Sequence, residues 1–143
     1  MDSATPLCVS IQKSDLIKRG YASFSQWKDH PHHLYIGRCM KFVEGVSASK
    51  WQNLYSSQQF GLTECLKLYE DRVRNTPELM ESIPELEGME LGCWCKPNHC
   101  HGDILIKLHC EYSQMKNNTK EVWEELFAAE IDMLIPLKRD TIV

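Results

Sequence analysis

The change of hydrophobic period along the chain restricts its fold more than any other feature. Residues 7–11 and 33–37 have the short apolar pattern of β-strands, and residues 89–94 repeat it after a glycine. Between the last two strands, apolar residues recur every 3.6 positions from Leu62 to Val73, which predicts an amphipathic helix. Strands that alternate with helices are typical of an α/β domain. We therefore predict a small α/β sandwich of two or three layers, with a short, mostly parallel sheet covered by three or four helices.

Helical patterns continue through the C-terminal half of the chain. A short helix is expected over residues 77–86 and a longer one over residues 100–115. A last helix is predicted over residues 117–136, because Asn118 is followed three residues later by Glu121 in the pattern of a capping box. A chain of 143 residues is long enough for one hydrophobic core, so we predict a single domain over residues 1–143.

The composition indicates the kind of cellular compartment in which the protein works. The chain contains seven cysteines, an odd number, and no apolar leader segment near Met1. Both observations argue against a secreted disulfide framework, so we expect an intracellular, cytoplasmic protein with reduced thiols. No stretch approaches the roughly 18 consecutive apolar residues of a membrane-spanning helix, so no membrane association is expected.

The charge is distributed unevenly. Residues 1–50 carry seven Lys and Arg against four Asp and Glu, whereas the remainder carries nine against sixteen. The acidic remainder argues against nucleic-acid binding through bulk charge. A local anion site in the basic N-terminal part is compatible with this distribution.

The segment Cys93–Asp103 concentrates reactive side chains at the point where the last strand leads into a helix. The carboxyl edge of an open α/β sheet is where ligands bind, and the free N–H groups of a helix N-terminus favour an anion. Three interpretations of this segment are open: a metal site, a reactive thiolate, or the packing of buried cysteines.

The first interpretation is a structural metal site. Cys93, Cys95, Cys100 and His101 are four ligands of the kind that bind tetrahedral zinc, which makes zinc a candidate cofactor. Their spacing counts against such a site. Cys100 and His101 are neighbours on a helix, about 100° apart, and converge poorly on one ion.

The second interpretation is a nucleophilic thiolate. Cys100 is predicted at a helix N-terminus, next to His101 and near Lys96, and each of these features lowers the pKa of a thiol. Asp103 would orient the imidazole or interact with the helix dipole. In the third interpretation the cysteines of the segment pack as small apolar side chains. We expect that packing role for the cysteines outside the segment: Cys8, Cys39, Cys65 and Cys110.

Three motifs along the chain form a specific combination. The first ends the second strand with Tyr35, Gly37 and Arg38. The second is a loop with Lys50, Trp51 and Asn53. The third consists of Leu91, Cys93, Trp94, Cys95, Pro97, Cys100, His101 and Asp103. Together they resemble the family known as domain of unknown function 4326, which occurs in phages, large DNA viruses, bacteria and eukaryotes.

The resemblance covers residues 33–112 and treats residues 117–136 as an additional helix. It implies that the three motifs meet at one site. The ligand-binding candidates at that site are Arg38, Lys50, Trp51, Asn53 and Cys95. Guanidinium and ammonium groups suit a phosphate, and an aromatic face suits a base, so we predict that the domain binds or modifies a nucleotide-like or phosphorylated small ligand.

If the domain is an enzyme, we expect a transferase or hydrolase in which Cys100 and His101 form the reactive pair and Asp103 orients it. A zinc-binding module without catalysis is a second hypothesis. A protein-interaction module is a third, in which the last helix presents an apolar face to a second copy of the chain or to another protein. The residues of that face are Trp123, Phe127 and Leu134.

Overall fold

The fold is built around three short parallel strands. The computed structural model describes residues 5–40, 43, 45–96 and 98–142, with the side chains of residues 121–123 and 127–142 excepted. The strands are β1 Leu7–Ser10, β2 His33–Tyr35 and β3 Glu90–Cys93. Their order in the sheet is β1-β3-β2, and β3 pairs in parallel with both neighbours. The predicted α/β class with a short parallel sheet is confirmed.

Helices cover both faces of the sheet. In the described part of the chain they are α1 Lys13–Lys18, α2 Phe24–Lys28, α3 Ser57–Phe60, α4 Leu62–Arg74, α5 Pro77–Ser82, a 3-10 helix Ile83–Leu86, and α6 His101–Ile142. The predicted helices are accompanied by three further short ones, α1 to α3, with four to six residues each.

The two faces of β3 contact different layers. Gly92 faces α2, and a Cβ atom there would collide with the ring of Trp27 and with Ile11. Because side chains alternate along a strand, Leu91 and Cys93 point to the opposite face, where the first turns of α6 lie. The sheet is therefore the middle of three layers. A glycine at position 92 is required for the indole of Trp27 to lie against the backbone of the central strand.

Glu90 links the start of β3 to the layer formed by α1 and α2. Its carboxylate accepts two hydrogen bonds from the guanidinium of Arg19, at 2.8 and 2.9 Å, and one from Trp27 Nε1 at 2.8 Å. The Nε2 atom of His33 lies 3.3 Å from the same carboxylate. Burial alone would raise the pKa of Glu90, but the bonds from Arg19 and Trp27 outweigh it and hold the pKa below its usual value.

The predicted amphipathic helix is present as α4, and its inward stripe is only partly as expected. Cys65, Tyr69 and Val73 are buried, whereas Leu62 is 44% exposed. Leu62 is the first residue of α4. The expected helix over residues 77–86 is present as α5 followed by the 3-10 helix.

The C-terminal part differs from the prediction. We expected one helix to end near Met115 and another to begin at Asn118, but the backbone of α6 is helical through both positions. Residues 113–121 contain neither Gly nor Pro, so nothing in the sequence interrupts the helix there. The helix also does not end near Pro136 as expected, since α6 extends to Ile142.

The chain divides into two compact units, Met1–Cys110 and Glu111–Val143. All the strands and the sites described below belong to the first unit. The backbone of the second unit is helical as far as residue 142. In the part of the chain that the structure describes, no helix combines the length and apolar character that crossing a membrane requires.

We predict that Glu90→Gln lowers the free energy of unfolding by about 1–3 kcal/mol at neutral pH, because three charge-assisted hydrogen bonds are weakened or lost. The folded-state pKa of Glu90 is depressed. Its stabilisation is therefore complete above the pKa of about 4.3 of an unfolded glutamate and is lost as the pH falls through the folded-state value. Urea unfolding curves of both proteins at a series of pH values measure this difference.

Glu85→Gln is the matched control, since Glu85 also pairs with a cation but is 57% exposed. An exposed pair contributes only about 0–1 kcal/mol. Equal effects of the two substitutions, or an effect of Glu90→Gln that grows as the pH falls, would contradict the prediction.

Candidate functional site

A cavity of about 450 Å³ lies at the carboxyl edge of the sheet. The loop after β2 and the loop after β3 both leave the sheet there, and the backbone N–H of Ile36 still bonds to the carbonyl of Gly92 at 3.1 Å. Five of the predicted site residues line this cavity: Arg38, Asn53, Cys95, Cys100 and His101. Parallel strand ends meet at one edge, so the sheet topology brings the first and third motifs together.

Arg38 is held at the cavity by its own loop and by the second motif. Its Nε donates to the carbonyl of Asn53 at 2.7 Å, and Nη2 donates to the carbonyl of Tyr55 at 3.0 Å. The hydroxyl of Tyr35 donates to the Arg38 carbonyl and accepts a hydrogen bond from Trp94 Nε1 at 2.8 Å. Within the described residues, Nη1 of Arg38 has no hydrogen-bond partner. The guanidinium is therefore fixed in direction while part of its donor capacity stays available.

Asn53 lines the cavity, but its polar atoms are used within the protein. The Nδ2 atom donates to the sulfur of Cys65 at 3.1 Å, and Oδ1 accepts from the N–H of Tyr55 at 2.9 Å. The thiol of Cys65 donates in turn to the carbonyl of Tyr55 at 3.1 Å. Asn53 therefore shapes the loop that holds Arg38. Tyr55, which is not among the predicted site residues, also lines the cavity.

Lys50 and Trp51 lie outside the residues that line the cavity. Lys50 Nζ bonds to Glu85 at 2.8 Å and to Ser82 at 3.2 Å, and it lies 5.4 Å from the ring centre of Trp51. Trp51 is 1% exposed, and its carbonyl accepts a hydrogen bond from the hydroxyl of Tyr69 at 2.7 Å. The two side chains therefore do not join Arg38 in the cavity lining: Lys50 bonds to Ser82 of α5 and to Glu85 of the 3-10 helix, and Trp51 is buried.

Three cysteine sulfurs meet beneath the cavity. The Sγ atoms of Cys93 and Cys100 are 3.0 Å apart, and those of Cys8 and Cys100 are 3.5 Å apart. Cys8 was expected only to pack. Its position in the cluster follows from the strand register, because Cys8 lies opposite Leu91 and so shares a sheet face with Cys93. That register cannot be obtained from the spacing of residues in the sequence.

The cluster changes the acidity of its members. Hydrogen bonds from Cys8 and Cys93 lower the pKa of Cys100 well below that of a free thiol, helped by the N–H of Gly102 at the start of α6. The same bonds raise the pKa of Cys93 and Cys8. The exposed Cys95 is a separate case, since its hydrogen bond with the Cys93 thiol lowers its pKa to about 7.

The side chain of His101 hydrogen-bonds to the backbone and not to Cys100. Its Nε2 lies 2.6 Å from the carbonyl of Ile36 and therefore acts as the donor. The ring packs edge-on against Tyr69 at 5.0 Å, and burial lowers the pKa of the imidazole. Cys100 and His101 thus face different partners, and their role as a reactive pair stays a prediction.

Asp103 closes the loop that precedes α6. Its Oδ2 accepts from the backbone N–H of Cys100 at 3.1 Å, and Oδ1 accepts from Lys96 Nζ at 2.6 Å. His99 Nδ1 lies 3.4 Å from the same carboxylate. The first helical turn and the preceding loop are therefore tied together by one side chain, which fixes the backbone on both sides of Cys100.

Of the predicted zinc ligands, Cys93 and Cys100 come together, whereas Cys95 and His101 are not part of the three-sulfur cluster. The face predicted to bind a partner, with Trp123, Phe127 and Leu134, lies outside the side chains that the structure describes.

We predict that Gly102→Ala destabilises the protein by about 1–3 kcal/mol, because the added Cβ collides with the sulfur of Cys8 and comes within 3.0 Å of Ile36. The double variant Gly102→Ala with Cys8→Ala should recover part of the loss, since the colliding sulfur is gone. Urea unfolding of the two single variants and the double variant measures the coupling. Strictly additive effects would contradict the proposed contact.

We also predict the order in which the thiols react with iodoacetamide in the native protein. Cys39, Cys95 and Cys110 are exposed and should be modified first, whereas Cys65, Cys93 and Cys100 are buried and should react only after local or global opening. Peptide mass mapping after brief labelling identifies the modified residues, and labelling in urea is the control. Early modification of Cys100 would show that the cluster is not closed.

A family model and a viral protein both match this chain. The family model described as domain of unknown function (DUF4326) matches residues 21–111, which confirms the resemblance and extends it toward the N-terminus to include α2. An uncharacterised protein of Acanthamoeba polyphaga mimivirus is 34% identical over 87 residues, which cover 53% of this chain and 65% of that relative. The chain thus spans less than two thirds of the relative's length. No solved structure matches. Since the family model covers well over half of the chain, the protein belongs to the family of domain of unknown function 4326.

Proposed function

We propose that the cavity binds a small phosphorylated ligand of the nucleotide class, with Arg38 as the group that holds the phosphate. The observation that carries the proposal is the fixed Arg38 guanidinium at a cavity of ligand size. The volume of about 450 Å³ falls within the range of roughly 300–1,000 Å³ that is usual for small-molecule sites.

The charge of the cavity supports an anionic ligand. The protein has a formal net charge of −4, but no Asp or Glu is among the described residues that line the cavity. Arg38 therefore meets no competing carboxylate there. A planar guanidinium with fixed orientation suits the oxygen geometry of a phosphate better than a mobile ammonium group does.

Aromatic rings at the cavity support the nucleotide class. Tyr55 and Trp94 both line it, and base–aromatic stacking does not depend on which base is present. Trp94 is partly engaged elsewhere, because it stacks on Phe24 at 6.3 Å and its N–H bonds to Tyr35. Tyr55 is thus the better candidate for contact with a base, in place of the buried Trp51.

The proposal concerns binding. Group transfer or hydrolysis with Cys100, His101 and Asp103 as catalytic residues stays a prediction, because hydrogen bonds direct all three side chains to other partners in the protein. Cys95 is the exposed thiol at the cavity and is the first residue to test if turnover of a bound ligand is found.

The test is calorimetric titration with adenosine 5′-monophosphate and guanosine 5′-monophosphate, with adenosine and inorganic phosphate as reference ligands. We expect a nucleotide to bind more tightly than its nucleoside. Arg38→Ala should weaken binding of the nucleotide by about 10–100-fold, since a hydrogen-bonded charge contributes about 1.5–3 kcal/mol.

Lys50→Ala is the matched control, because it removes a cation outside the cavity and should leave the affinity unchanged. The proposal is overturned if neither nucleotide binds the wild-type protein. It is also overturned if Lys50→Ala weakens binding as much as Arg38→Ala, because bulk charge would then explain the binding.

A further inference from the structure

The cluster of Cys8, Cys93 and Cys100 joins parts of the chain that are far apart in sequence. Cys8 lies in β1, Cys93 ends β3, and Cys100 immediately precedes α6. Their sulfur atoms all lie within 4.8 Å of one another, with two separations of 3.0 and 3.5 Å. Three sulfurs on a tetrahedral zinc ion, with Zn–S bonds of about 2.3 Å, lie about 3.8 Å apart. The observed spacing is close to that of a metal-thiolate site.

We propose that Cys8, Cys93 and Cys100 bind one thiophilic metal ion, with Zn²⁺ as the expected occupant. Binding releases the thiol protons to solvent and leaves three thiolates on the ion. The fourth coordination position is then available to water or to a ligand in the cavity, which Cys100 lines. The proposal does not depend on the ligand proposed for that cavity.

The backbone brings the three sulfurs close together. The register of β1 with β3 puts Cys8 and Cys93 on one face of the sheet. Gly102 has no side chain where the sulfur of Cys8 lies, so the start of α6 can approach β1 closely. Asp103 fixes the N–H of Cys100. Such prior arrangement lowers the ordering cost of binding an ion.

The surroundings of the sulfurs favour negative charge. The N–H of Cys95 donates to the sulfur of Cys93 at 3.2 Å, and the N-terminus of α6 lies at Cys100. The ammonium group of Lys96 bonds to Asp103 and interacts electrostatically with Cys8. Hydrogen bonds to ligand atoms are the outer-shell contacts that metal sites usually have.

The proposed ligand set differs from the one expected from the sequence. His101 donates its Nε2 proton to the carbonyl of Ile36 and is therefore unsuited to coordinate an ion through that nitrogen. Cys95 is exposed. Cys8 replaces them as the third ligand, which the sequence motif alone does not include.

The experiment measures metal on the purified full chain kept under reducing conditions. After dialysis against trace Zn²⁺, inductively coupled plasma mass spectrometry and native mass spectrometry should find one zinc per chain. Substitution of Co²⁺ should give thiolate-to-cobalt charge-transfer absorption, which reports sulfur ligation in the wild-type protein without any variant. Competition with a chelator gives the affinity.

Cys8→Ser and Cys100→Ser should each weaken zinc binding by more than about 100-fold, because the loss of outer-shell partners alone costs about 10–100-fold. The matched controls are Cys39→Ser and Cys110→Ser, which alter exposed cysteines outside the cluster and should retain one zinc. Circular dichroism shows whether each variant is folded. Arg38→Ala should also retain the metal, which separates this test from that of the cavity ligand.

The proposal is overturned if the wild-type chain binds no zinc and gives no charge-transfer band with Co²⁺. It is also overturned if folded Cys8→Ser or Cys100→Ser binds zinc as tightly as the controls do. A chain that forms a Cys93–Cys100 disulfide while zinc is present in excess would equally contradict it.

Discussion

The central strand β3 pairs with two strands that do not pair with each other, and this position determines how the layers of the first unit meet. Because β3 is central, its residues are covered on both faces, and Leu91 and Cys93 are fully buried. Its first residue, Glu90, is tied to the α1–α2 layer by ionic hydrogen bonds, and its last, Cys93, contacts the start of α6. One end of this four-residue strand is thus bonded to the α1–α2 layer and the other to the start of α6. These contacts fix where the loop with Cys95 and Cys100 begins and ends.

The cavity and the sulfur cluster share this loop. Cys95 and Cys100 both line the cavity, but only Cys95 is exposed, whereas Cys100 is buried and lies against Cys93 and the partly buried Cys8. Asp103 bonds to Lys96 and to the Cys100 backbone, and so ties the loop to the start of α6. Because Cys100 belongs to both the cavity lining and the sulfur cluster, metal binding at the cluster can influence a ligand in the cavity.

Much of the fold could be predicted because periodicity and strand patterning are local properties of the sequence. The helix α4 and the three strands follow from them. The convergence of Arg38 with the third motif was instead implied by the family resemblance, and both line the cavity at the carboxyl edge. Lys50 and Trp51 could not be placed, since a loop between β2 and α3 has no period that shows which way its side chains face. Cys8 could not be assigned to the cluster, because its position depends on the register of strands that are distant in sequence. The capping-box pattern suggested that a new helix begins at Asn118, but α6 is continuous there.

The strand order also determines when the sheet can form. Residue 7 pairs with residue 90, and residue 33 pairs with the same residue, so neither β1 nor β2 has a partner until β3 has been synthesised. Local hairpins cannot nucleate this sheet, and high contact order slows folding. During translation the edges of the first two strands therefore stay unpaired while α4 and α5 emerge from the ribosome. The nascent chain is therefore exposed to mispairing until the segment that contains β3 has emerged.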